Sequence, residues 1–329
     1  MAVRDIRWGI LSTGGIATRF VEDLALLDGT ILAGVGSRTL EAAQTFSVAH
    51  GAEAAYGSWA ELAADPSLDV IYVANPHTGH HEAARLCLEA GRAVLIEKPI
   101  TLDLASAQDL VSLAASKNVF LMEAMWMRTN PVIRRIRELV ADGAIGEVTH
   151  VGADFGLPGP FPPEHRLRNP DLGGGALLDL GIYPLTFASL FLGTPEQVHA
   201  TAALTPEGVD RNTAIALRYP GGGVATLHCG ISGDTSVRAT ITGTAGRIEV
   251  ARRFYCPTAF TLVRADVAEE VSMPLRGNGL GYEAEEVMRC LREGLLESPL
   301  VPQADTLAIM GTMDEIRAQI GVTYPPALR

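Results

Sequence analysis

The sequence predicts an α/β protein of two domains: a doubly wound parallel sheet over residues 1–125, then an α+β domain with a large, mostly antiparallel sheet over 126–329. Three observations predict it. Apolar runs such as Leu68–Ala74 and Val94–Ile96 show no polar alternation, as expected of strands buried on both faces between helix layers. Helical patterns separate these runs as far as Ala124. From Val148 onward the texture changes to strand-like segments at longer intervals, with turns at Gly221-Gly222-Gly223 and Thr244-Ala245-Gly246.

The first element is Ile6–Leu11, followed by Ser12-Thr13-Gly14-Gly15-Ile16-Ala17 and a helix from about Ile16 to Leu27. Strand, Gly-rich turn and helix form the context of a dinucleotide fingerprint. Gly14 lets the backbone approach a pyrophosphate and Ala17 is small enough for helix–strand packing, but Ser12 stands where the motif has its first glycine. A tight turn with no ligand is the plainer alternative. Strand Ile31–Gly36 ends in Ser37-Arg38, with no acid for a ribose 2′-hydroxyl. A hydroxyl and a guanidinium suit a 2′-phosphate, so the expected cofactor is NADP rather than NAD.

A helix around Ala42–Phe46, a short strand at Ala54–Tyr56 and a helical turn Trp59–Ala64 precede the buried strand Leu68–Ala74. That strand runs into Asn75-Pro76-His77-Thr78-Gly79-His80-His81 and a helix from about Glu82 to Ala90. Three histidines so close invite a metal, but no Cys or carboxylate joins them at ligand spacing. No metal is expected; Asn75 and His77, in a loop at the carboxyl edge of the sheet, are expected at the cofactor.

Val94-Leu95-Ile96-Glu97-Lys98-Pro99 delivers a carboxylate and an ammonium to the same edge, and the proline ends the ladder. The chain has 24 arginines and two lysines, Lys98 and Lys117. A lysine kept at a buried strand end points to chemistry a guanidinium does not perform, such as proton exchange; a strand-end lysine reaching for solvent is the alternative. The helix Leu102–Lys117 and a sixth strand Val119–Ala124 complete the first domain. Trp126 and Arg128 lie at the domain junction, as substrate contacts or as packing and a salt bridge, before a helix Val132–Asp142.

In the second domain, strand Val148–Phe155 leads to a proline-rich loop holding His165, Arg166 and Arg168. Gly173-Gly174-Gly175 then opens a helix in which Asp179 and Tyr183, one turn apart, share a face. Strands are expected near 197–204, 213–219, 223–231, 236–242, 246–250 and 260–264, and helices near 282–293 and 305–321.

A net charge of −12 without a basic cluster argues against nucleic acid and anionic membranes. No apolar run is read as a membrane span, no signal-peptide core is seen, and four scattered cysteines suit a reducing cytoplasm.

Taken together, the turn Ser12–Ala17, Ser37-Arg38, Glu97-Lys98-Pro99 and Gly173–Tyr183 resemble the glucose–fructose oxidoreductase / inositol dehydrogenase (Gfo/Idh/MocA) family. The stretches Phe120–Trp126, Gly174–Tyr183, Tyr255–Thr258 and Leu296–Pro299 are most similar to its dimeric dihydrodiol dehydrogenase / D-xylose dehydrogenase branch. The resemblance implies a Rossmann domain binding NADP through Ser12, Thr13, Gly14, Gly15, Ile16, Ser37, Arg38, Asn75, His77, Glu97 and Lys98. It implies an open-faced second sheet that pairs subunits as a homodimer or tetramer. It further implies that Lys98 and Tyr183 flank the reacting carbon of a sugar, polyol or cyclic diol. Tyr183 exchanges the proton, Lys98 tunes it, Asp179 orients, and Trp126, Arg128 and Phe155 line the substrate site. The alternative is a non-catalytic NADP(H)-binding regulator of the same fold.

Overall fold

The computed structural model describes residues 4–324. The chain folds into two compact units. Among the described residues, one runs to Thr129 and takes back Leu275–Thr306; the other comprises Asn130–Pro274 and the described chain from Leu307. Residues 275–306 therefore pack with the first unit, where the sequence reading assigned everything after 125 to the second.

The first unit is built on a six-stranded parallel sheet of β1 (Ile6–Leu11), β2 (Thr30–Gly36), β3 (Ala54–Tyr56), β4 (Val70–Val73), β5 (Ala93–Glu97) and β6 (Leu121–Ala124), in the order β3-β2-β1-β4-β5-β6. Helices α1 (Gly15–Leu24), α2 (Leu40–His50), α3 (Trp59–Ala64), α4 (His80–Glu89) and α5 (Leu104–Lys117) connect the strands. β4, β5 and β6 are buried throughout, which is why they read as unbroken apolar runs. Register carries the functional consequence. Leu11 pairs with Gly36 and Val73, Val73 with Ile96, and Glu97 with Ala124. The residues after these positions, Ser12, Ser37, Ala74-Asn75 and Lys98, thus leave the sheet at one edge.

The returning segment is tied in by side chain and backbone. Asp23 of α1 accepts from the backbone N–H groups of Asn278, Leu280 and Gly281 at 2.7–3.1 Å. Leu121 N–H donates to the Leu296 carbonyl at 3.2 Å, and Gln303 Nε2 donates to the Leu121 carbonyl at 3.1 Å.

The second unit begins with α6 (Pro131–Ala141) and β7 (Val148–Gly156). After a long loop come a π-helical turn, Leu177–Gly181, and α7 (Ile182–Leu192). Strands β8 (Gln197–Leu204), β9 (Asp210–Arg218), β10 (Val224–Gly230), β11 (Ala239–Gly243), β12 (Gly246–Val250), β13 (Ala259–Arg264) and β14 (Val267–Ser272) complete an eight-stranded sheet in the order β14-β13-β12-β11-β7-β10-β9-β8. Every pairing is antiparallel except β7 with β10. One face is buried through Val151, Ala153 and Phe155 on β7 and Ala225, Leu227 and Cys229 on β10. The other face presents His150, Asp154, Thr226, His228 and Thr240, lining an open hollow.

β14 was missed from sequence because Glu269 and Glu270 sit in its middle and most of it is exposed; charge on an edge strand discourages further pairing. The segment Pro170–Leu192 is apolar enough to cross a membrane, with a mean hydropathy of 1.5, contrary to the reading that no such run exists. It is a core helix: 78% of that apolar stretch is buried inside the protein.

Candidate active site

Ser12 has φ +105°, the left-handed region that the absent first glycine of the fingerprint would adopt freely. The turn therefore keeps its shape at the expense of strain in Ser12. Gly14 and Gly15 are exposed, and a methyl group added at Gly15 would meet nothing within 4 Å.

At the end of β2, Ser37 is 8% exposed and Arg38 is exposed, with no hydrogen-bond or ion-pair partner among the described residues. In the loop after β4, the Asn75 amide is buried, yet neither its oxygen nor its nitrogen has a partner. Gly79 makes room for it: a Cβ there would lie 2.2 Å from Asn75 Nδ2. His77 sits nearby, its ring edge-on to His80 at 5.6 Å between centroids.

The histidine cluster has a structural explanation. His80 is fully buried, its Nδ1 is 2.8 Å from the Pro99 carbonyl oxygen and its Nε2 is 2.9 Å from that of Asn75. Burial pushes its pKa down to about 4, so the ring is neutral at physiological pH. His81 faces Asp109 at 2.8 Å. No group of three or more His, Cys, Asp or Glu among the described residues is arranged to hold a metal.

The Glu97-Lys98-Pro99 corner is braced from below. Glu97 accepts from the Tyr72 hydroxyl and, at 3.2 Å, from the Lys98 N–H. Glu123 accepts from Ile100 N–H and from Thr306 Oγ1, both at 3.0 Å. Burial lifts the Glu123 carboxyl to about 6. Trp126 is half-buried. Arg128, expected at the substrate, is 3% exposed and spends its guanidinium on Asp305 and the Leu300 carbonyl, so the salt-bridge alternative describes it.

In the second unit Tyr183 is 5% exposed, its ring 5.7 Å from Phe155 and 5.2 Å from Tyr255. Phe155 and Tyr255 stack at 4.5 Å with planes 6° apart. Asp179 lies within the π-helical turn and its Oδ1 is 3.0 Å from Arg166 Nη1. The Arg166 loop is anchored by Arg168, which pairs with Glu207 at 2.6 Å and donates to the Phe161 carbonyl at 2.8 Å.

The chain as a whole is similar to known proteins. Residues 6–125 match the oxidoreductase family with an NAD-binding Rossmann fold, and residues 133–249 match the GFO/IDH/MocA C-terminal domain. Trans-1,2-dihydrobenzene-1,2-diol dehydrogenase of Xenopus laevis is 40% identical over 330 residues, spanning 97% of this chain and 99% of that protein. The chain belongs to the Gfo/Idh/MocA oxidoreductase family. Another relative, the D-xylose 1-dehydrogenase (NADP(+)) of Hypocrea jecorina, is 38% identical and spans 97% of this chain and 93% of its own. Among solved structures, KijD10, a 3-ketoreductase from Actinomadura kijaniata in complex with NADP and TDP-benzene, superposes with a TM-score of 0.87. It is 27% identical and covers 98% of this chain and 100% of that one.

The Rossmann edge of this Gfo/Idh/MocA member fits a phosphorylated dinucleotide. The buried Asn75 amide with both polar atoms unpartnered is costly unless a ligand satisfies it, and the exposed glycine turn and Arg38 offer donors suited to phosphates. Three residues escaped the sequence reading as site components. Tyr255 was noted there only for likeness. Arg166 was noted only as part of its loop; a long arginine in a proline-rich loop gives no sign of which carboxylate it reaches. Glu123 read as one more strand residue, though a carboxylate inside an apolar strand was a usable signal.

Proposed function

We propose that the chain is an NADP-dependent dehydrogenase or reductase acting on a CH–OH group of a sugar, polyol or trans-dihydrodiol. The observation that carries this is Tyr183, a phenol buried against the stacked Phe155–Tyr255 pair. A phenol beside an aromatic wall suits acid–base work on a hydroxyl of a small ring. The NADP(+)-named xylose dehydrogenase and the dihydrodiol dehydrogenases, similar over nearly the whole chain, support both the substrate class and the cofactor.

When bound, the nicotinamide supplies the two-electron acceptor or donor for the carbinol carbon. The backbone of Ser12–Ile16 would hold the pyrophosphate, Ser37 and Arg38 the 2′-phosphate, and Asn75, His77 and Glu97 the remaining polar edge. In the oxidative direction Tyr183 takes the proton from the substrate hydroxyl; in the reductive direction it returns one to the new alkoxide. Lys98, a compact ammonium, would donate to the reacting oxygen. Asp179, held by Arg166, accepts from a neighbouring substrate hydroxyl, and Phe155 bounds the ring. Arg128 is engaged with Asp305 rather than touching substrate. We place the enzyme in the cytoplasm, as a homodimer or a tetramer built from dimers, assembled through the open face of the eight-stranded sheet.

The test is NADP+ reduction followed spectrophotometrically with D-xylose, other aldoses, polyols and trans-dihydrodiols. Turnover of at least one class, with NADP+ preferred over NAD+, is expected. Tight NADP(H) binding without turnover of any of them would instead indicate a nucleotide-binding regulator.

A further inference from the structure

We propose that Asp210 is a positioning residue for this reaction, fixing the π-helical turn that aims Asp179 and Tyr183. The inference rests on the reading of Tyr183 as the acid–base group. The Leu177–Gly181 turn contains Asp179, and Tyr183 follows it in α7. A π turn holds one residue more than an α turn, so it rotates whatever follows by about 100° relative to a regular helix. The direction of Tyr183 thus depends on what keeps the turn wide.

The structure shows what does so. Asp210, at the start of β9, is 1% exposed, and its Oδ2 accepts from Leu177 N–H, the first residue of the turn, and from Thr213 Oγ1, both at 2.8 Å. Around it the chain is cleared for the carboxylate. Gly175 has φ +115°, and a Cβ there would fall 2.3 Å from Asp210 Oδ1. The Tyr324 hydroxyl holds the Gly174 carbonyl at 2.6 Å. At the far end, a Cβ on Gly181 would meet Cys229 Sγ at 2.9 Å, so the turn sits directly on β10.

Asp210 is an expensive group to keep there. Its Oδ1 has no hydrogen-bond partner, and burial raises its carboxyl to about 6. The titratable groups facing it, Cys229 and Tyr324, are themselves pushed upward by burial and stay neutral at physiological pH. An apolar residue at this position would be cheaper for folding alone. What the carboxylate adds is a hold on the N–H that opens the turn, at the end of a helix where negative charge is favoured.

The experiment compares Asp210→Ala, Asp210→Asn and Tyr183→Phe for kcat, substrate KM and NADPH affinity. Asp210→Ala should lose at least about ten-fold in kcat, with KM and NADPH affinity within about two-fold of wild type. Asp210→Asn should recover most of that loss, because its amide oxygen still accepts from Leu177 N–H. If Asp210→Ala does not fold, Asp210→Ser, too short to reach that N–H, should show the same kcat loss. Wild-type kcat in Asp210→Ala or Asp210→Ser, or an Asn variant as damaged as the Ala variant, overturns the inference. A fully active Tyr183→Phe overturns the underlying site reading as well; an inactive Tyr183→Phe beside a fully active Asp210→Ala overturns the positioning role alone.

Discussion

His80 clamps Pro99: its Nδ1 lies 2.8 Å from the Pro99 carbonyl oxygen while Nε2 lies 2.9 Å from that of Asn75. One buried ring thus spans two of the loops that leave the carboxyl edge of the first sheet, the one carrying Asn75 and the one carrying Lys98. A neutral imidazole donates to one of them at a time, and water cannot reach the other.

The folded-state pKa of His80, about 4, lies below its ordinary 6.5. The unfolded chain therefore binds the extra proton, and stability contributed by neutral His80 is complete above pH 6.5 and is lost as pH falls toward 4, by up to about 3 kcal/mol. The raised carboxyls of Glu123 and Asp210 act with the opposite sign below pH 6, so wild type alone masks the effect. Urea unfolding of wild type and His80→Gln at pH 7 and pH 4.5 separates them. The stability advantage of wild type should be largest at pH 7 and shrink at pH 4.5; an equal advantage at both would show that His80 does not titrate in this range.

Strain at Ser12 predicts an order of stability. With φ +105°, Ser12→Gly relieves roughly 1–3 kcal/mol of backbone strain, more than the 0.4–1 kcal/mol that glycine's freedom in the unfolded chain takes back. A β-branched side chain suits this region least. Thermal melts should rank Gly above Ser above Val, with NADPH affinity preserved in the glycine variant. A valine variant as stable as wild type would show that the turn relaxes without cost.

Gly79→Ala tests the Asn75 amide without touching it. The new methyl would sit 2.2 Å from Nδ2, so the amide must swing away. NADPH binding should weaken about ten-fold, the loss of one to two hydrogen bonds, while the melting temperature moves little. Unchanged affinity by fluorescence titration would remove Asn75 from the cofactor site.

For the chemical step, Lys98→Arg and Tyr183→Phe should each reduce turnover at least about a hundred-fold, and the double variant should lose less than the product of the two. Guanidinium is too large and holds its proton too firmly to replace a compact ammonium. Stopped-flow measurement on all four proteins decides it; a fully active single variant would send the search toward Asp179 and His165.

The positions of Ser12, Ser37, Asn75 and Lys98 were legible because a parallel sheet repeats one rule: each buried run ends at the same edge, and the next residue enters the loops there. Tyr183 and Asp179 were legible as polar groups in an apolar helix. Their surroundings were not. Asp210 is 33 residues from Leu177 and Arg166 reaches Asp179 from a loop, and no local pattern encodes such pairings. The π turn was invisible for the same reason, since what sets Gly181 apart is the close approach of Cys229, a residue 48 positions away, against it. The return of residues 275–306 escaped because the contacts that tie it to the first unit, such as Asn278 with Asp23 and Thr306 with Glu123, join positions far apart in sequence.

That return has a consequence for how the protein is made. The Asp23 carboxylate at the end of α1 is matched by donors at Asn278, Leu280 and Gly281, and Glu123 by Thr306. On the ribosome, the first unit emerges early yet lacks these partners until nearly the whole chain has been synthesised. The nascent Rossmann half must wait with buried-type carboxylates open to solvent while the second unit is translated, so vectorial synthesis favours completion of the inner segment first and closure of the outer one last.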